Sequence, residues 1–88
     1  MKITGIKDII RKDVPIYYKR FYKGMLVIEL INKAQEIPIE FIIEQKPTGA
    51  LDITVTLSQE IDYPLVPLLK EIKAYIVELD ATRNLPKI

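Results

Sequence analysis

Between residues 37 and 57 the apolar residues fall on every second position. Ile37, Ile39, Phe41 and Ile43 alternate with polar or exposed positions, and Leu51, Ile53, Val55 and Leu57 alternate with Asp52, Thr54, Thr56 and Ser58. In an extended chain that period collects one set on one face, so strands are expected at 37–45 and 51–57. Lys46-Pro47-Thr48-Gly49 lies between them, with proline at the second and glycine at the fourth position of a type I turn. Closing the turn sets Ile43 against Ile53, Phe41 against Val55 and Glu44 against Asp52, which brings both apolar sets to the same face.

Further along, the rhythm changes. Leu65, Leu68, Leu69, Ile72, Ile76 and Leu79 recur at helical spacing, with Tyr75 at the edge of the stripe and Lys70, Glu71, Lys73 and Glu78 opposite it. The pattern predicts a helix over 64–80. Pro64 and Pro67 are expected in its first turn, where a missing N–H costs little, and Asn84 and Pro86 after its end. Near the N-terminus Ile6, Ile9 and Ile10 are spaced i, i+3, i+4, which predicts a short helix over 5–12 with Thr4 as its N-cap and Asp8 near its positive end. Val14-Pro15 would stop it.

Two more strands are expected at 16–22 and 25–31, joined by a tight Lys23-Gly24 turn. That hairpin pairs Phe21 with Leu26, Lys19 with Ile28 and Tyr17 with Leu30, and a Leu30–Ile37 pairing joins it to the second hairpin. Pro38 is expected where its strand begins or lies unpaired. The fold class is therefore α+β: a two-layer αββββα domain spanning 1–88, with a four-stranded antiparallel meander, a long C-terminal helix on one face and a short N-terminal helix.

Composition narrows the function classes. In 88 residues, 13 Lys and Arg nearly balance 12 Asp and Glu, so no global field draws the chain to nucleic acid or to an anionic membrane. There is no cysteine and no histidine. Disulfides, thiolate metal sites, the commonest general base and the strongest common nucleophile are thereby excluded. No apolar run is long enough for a signal peptide or a membrane span, and the expected location is cytoplasmic. The three glycines are scattered, so no phosphate-cradling loop is present, and the lone Ser58 reads as a turn residue. Glu44 opposite Asp52, with Glu40 on the same face, is the one arrangement suited to acid–base work or cation binding, and charged outer strand faces are ordinary. No catalytic residue, cofactor or metal site is expected, and an enzyme using Glu44 and Asp52 is the disfavoured class.

The segment Ile16-Tyr17-Tyr18-Lys19-Arg20-Phe21-Tyr22-Lys23-Gly24 carries four of the seven aromatics. Split by strand parity, Tyr17, Lys19 and Phe21 are expected to face the core. Tyr18, Arg20 and Tyr22 would then form an outward stripe, with Glu29 able to pair with Arg20. Val27 and Ile42 also face away from the main helix, so something should cover that face: the N-terminal helix, a second copy or another protein. The outer face is basic and aromatic on one hairpin and acidic on the other, an arrangement two copies about a two-fold axis can match. The leading expectation is a small non-catalytic interaction module that forms a homodimer or binds another protein. Its candidate contact residues are Tyr18, Arg20, Tyr22, Lys23, Val27, Glu29 and Ile42. The alternative is a single-stranded nucleic-acid platform built on residues 17–23.

Overall fold

A computed structural model describes residues 2–61 and 64–86. Strands β1 (Lys2–Lys12), β2 (Lys19–Leu30), β3 (Lys33–Gln45) and β4 (Leu51–Leu57) are followed by helix α1 (Leu65–Ala81). The sheet is an antiparallel meander in the order β1-β2-β3-β4, so the α+β class is as the alternation implies.

The second hairpin forms as its residues dictate. Ile43 pairs with Ile53, Phe41 with Val55 and Glu44 with Asp52. In the turn, Gly49 N–H donates to the Lys46 carbonyl at 2.9 Å, and Gly49 takes φ +88°, a left-handed value that glycine adopts without a Cβ penalty. The long helix also forms where predicted, with Pro64 as its N-terminal boundary residue and Pro67 in the first turn. Leu68, Ile72 and Ile76 are fully buried, while Leu65, the first residue of the stripe, is 53% exposed.

The N-terminal third differs from expectation. Residues 2–12 are a strand, and no N-terminal helix is present among the described residues. Its register against β2 shifts between Ile3 and Gly5 and again between Lys7 and Ile10, with Asp8 at φ 53°. Each shift inserts extra residues into one strand. The inward isoleucines therefore fall at 3, 6 and 9, and all three pack against the core. A spacing of three produced by bulges is indistinguishable, over so short a stretch, from one side of a helix. Thr4 is no N-cap; its hydroxyl donates to the Val27 carbonyl at 3.3 Å.

The expected 16–22/25–31 hairpin is also absent. Residues 19–30 run as one strand through Lys23-Gly24, and residues 16–18 lie outside it. The chain reverses instead at Ile31-Asn32, with Asn32 at φ 72°. Asparagine tolerates the left-handed region better than other side-chain-bearing residues. Leu26, not Leu30, faces Ile37, and Leu30 faces Lys33. Gly24 serves close approach: a Cβ there would lie 3.1 Å from Ile6 Cγ2 and 3.3 Å from Ile9 Cγ1. Pro38 lies within β3, opposite Met25, just past the end of the β3–β4 ladder. Its carbonyl accepts the Ser58 N–H at 3.1 Å and the Ser58 hydroxyl at 2.8 Å.

One face of the sheet packs against α1. Tyr22, Leu26, Ile28, Ile37, Ile39, Phe41, Ile43 and Ile53 join Leu68, Ile72 and Ile76 in a buried cluster. Each such side chain contributes about 1.5–3 kcal/mol relative to exposure. No helix among the described residues is long and apolar enough to cross a membrane.

Candidate interaction face

The face of the sheet opposite α1 is set by strand parity. Because 19–30 is one strand, its even residues share a side with Leu26 and Ile28, and its odd residues point away. The removed turn therefore inverts the expected sides of residues 19–22. Tyr22 is 1% exposed and stacks on Phe41, with ring centroids 5.0 Å apart and planes 17° apart. Arg20 is on the helix side too. Its Nη1 donates to Asp80 Oδ1 at 2.8 Å and to the Tyr22 hydroxyl at 3.2 Å, tying β2 to the last turn of α1. The bond to Asp80 is the main cause that holds the Arg20 guanidinium above its ordinary pKa. Glu29, the expected partner of Arg20, instead faces Lys2 and Ala34 across its neighbouring strands. Tyr18 precedes the strand and sits edge-on to Tyr17 at 5.6 Å. The expected outward stripe of Tyr18, Arg20 and Tyr22 does not form, and Tyr17, expected in the core, is 97% exposed.

What does face outward is a different row. On β2 it reads Lys19, Phe21, Lys23, Met25, Val27 and Glu29, and on β3 Glu36, Pro38, Glu40, Ile42 and Glu44. Lys23, Val27, Glu29 and Ile42 are thus on the face where alternation placed them. Phe21, Met25, Val27 and Ile42 are half-buried and stand outside the cluster that packs on the helix. The expected cover for this row, an N-terminal helix, is a strand edge instead. Ile6 and Ile9 pack on the opposite side of the sheet.

Charge is divided along the row. Lys7, Lys12, Lys19 and Lys23 lie on β1 and β2; Glu36, Glu40, Glu44 and Asp52 lie on β3 and β4. Two pairs cross above β2: Lys7 Nζ to Glu36 Oε2 and Lys12 Nζ to Glu40 Oε1, both at 2.6 Å. The bond from Lys12 holds the Glu40 carboxyl below its usual range, and the bond from Glu36 holds the Lys7 ammonium above its own. Both pairs are solvent-exposed, so each is worth little in stability. Their effect is to strap the apolar row at one end and leave Phe21 and Ile42 between Lys19 and Lys23 on one side and Glu44 and Asp52 on the other. Among the described residues, no group of three or more acidic side chains is placed to hold a metal.

A model of the uncharacterised BB_0187 family matches residues 1–81, and the chain belongs to that family. No curated protein matches it, and no solved structure does.

Proposed function

We propose that the protein is a small non-catalytic interaction module that pairs with a second copy of itself through the sheet face opposite α1. The observation that carries this reading is the half-buried row of Phe21, Met25, Val27 and Ile42, bounded by cations on β1–β2 and by anions on β3–β4. A two-fold axis running along the strands, between β2 and β3, exchanges the two halves. Lys19 and Lys23 of each copy then lie over Glu44 and Asp52 of the other, while the apolar rows meet in the middle. Such a contact is isologous and closes at two copies. Apolar area supplies the attraction and complementary charge fixes the orientation. A nucleic-acid platform has less to draw on: Phe21 is the aromatic left between outward lysines, and four carboxylates share its face.

Sedimentation of the wild type and of Ile42→Lys tests the reading. Ile42 lies at the centre of the row but outside the core, so the variant keeps its fold, verified by circular dichroism. The wild type is expected to sediment as a dimer that weakens in high salt, and Ile42→Lys as a monomer. A wild type that stays monomeric at high micromolar concentration, or an Ile42→Lys protein that dimerises unchanged, overturns the proposal. So does tight, salt-sensitive binding of a single-stranded oligonucleotide by the wild type.

A further inference from the structure

On the helix side of the sheet, away from the proposed dimer face, a cleft of about 540 Å³ is lined by Arg11, Arg20, Tyr22, Asp80, Arg83 and Leu85, among others. Three separate elements supply its arginines: the end of β1, the start of β2 and the segment that follows α1. Burying three like charges together is unfavourable without a counter-charge, and Asp80 neutralises one of them. The lining keeps a net charge of +2 from three arginines and one aspartate.

Two of the arginines are held in ways the fold itself does not require. The Nε of Arg11 is buried and has no hydrogen-bond partner among the described residues, an arrangement that native interiors generally avoid. Arg83 sits at φ 59°, in the position where helices usually place glycine. Its N–H donates to the Asp80 carbonyl at 3.1 Å and the Asn84 N–H donates to the Leu79 carbonyl at 2.8 Å, the pair of bonds of a Schellman turn. A guanidinium has been placed at the mouth of the cleft at the expense of the residue best suited to that backbone. Tyr22 adds a buried hydroxyl that accepts from Arg20 and keeps its own proton to donate.

The geometry points to a binding site for a small phosphate monoester. A dianion matches the residual charge. Arginine forks suit phosphate oxygens in bidentate geometry. Leu85 and Pro86, which also line the cleft, give an apolar wall for the organic part.

Thermal unfolding and calorimetric titration with inorganic phosphate and with glycerol phosphate, at matched ionic strength, test this. Both probes are expected to raise the wild-type melting temperature saturably, as a ligand of the native state must, with the monoester binding at least as tightly. Arg11→Gln should weaken binding roughly tenfold or more, the usual scale for losing a charge-assisted hydrogen bond. Arg83→Gly is the sharper variant. It relieves the left-handed strain, so the ligand-free protein should melt no lower than wild type while its phosphate affinity falls to a similar extent. A purely structural arginine would show the reverse. The proposal is overturned if the wild type shows no saturable response, if both variants bind phosphate as the wild type does, or if succinate binds as tightly as the monoester.

Discussion

Gly24→Ala separates the two accounts of the middle of β2. The glycine is in the sheet interior, opposite Ile39, and Gly49 rather than Gly24 takes a positive φ. Alanine is therefore compatible with the backbone at 24, and its effect on the unfolded chain alone would stabilise by about 0.4–1 kcal/mol. Against this stands a Cβ 3.1 Å from Ile6 Cγ2, 3.3 Å from Ile9 Cγ1 and 3.3 Å from the Lys7 carbonyl oxygen. Two of those atoms belong to β-branched side chains with restricted χ1, and the third is backbone beside a bulge, so none swings aside at low cost. Overpacking of this kind costs about 1–3 kcal/mol. The net expectation is a loss of about 1–2 kcal/mol, or a fall in Tm of about 4–16 °C for a chain of this size. Urea unfolding should show a lower midpoint at unchanged slope. In an Ile6→Ala background the nearest contact is gone, and the cost of Gly24→Ala should shrink by about 0.5 kcal/mol or more. A turn glycine with positive φ would lose stability regardless of Ile6. A raised Tm, or a cost unchanged by Ile6→Ala, refutes the close-approach account.

Leu68 is fully buried against the sheet, so Leu68→Ala should cost about 2–5 kcal/mol of a total near 4–13 kcal/mol at about 0.05–0.15 kcal/mol per residue; unchanged thermal stability would remove it from the core. Glu40 is held below its ordinary value of 4.5 by Lys12, so its contribution is complete above that value and lost as pH falls through the lowered one. The stability difference between wild type and Lys12→Met should therefore be largest near neutrality and vanish in acid, and a difference that grows in acid would reverse the assigned sign.

The second hairpin and the long helix were legible because their determinants are local. Alternation over Ile37–Ile43 and Leu51–Leu57, a Pro-Thr-Gly turn and a helical stripe each specify geometry within a few residues, and the Glu44–Asp52 register follows from counting outward from the turn. From the same alternation, Val27 and Ile42 could be placed on the outer face. Tyr22 and Arg20 could not be placed, because their side depends on whether Lys23-Gly24 turns or continues, and a glycine fits either role. Ile31-Asn32 carried the true signal, an asparagine suited to positive φ, but a β-branched neighbour masked it.

What the tertiary structure alone decided is the phase of each pattern. Chain chemistry determined that the N-terminal isoleucines form an amphipathic segment. Whether their spacing of three meant a helix or a twice-bulged strand was settled by an exposed β2 edge, whose unpaired N–H and C=O groups satisfy a strand and offer nothing to a short helix. The same holds for the arginines. Arg11, Arg20 and Arg83 are ordinary surface charges in sequence. They become neighbours because β1 and β2 pair antiparallel and α1 ends over that corner, and side-chain proximity across such separations is a property of the packed layers, not of any local stretch.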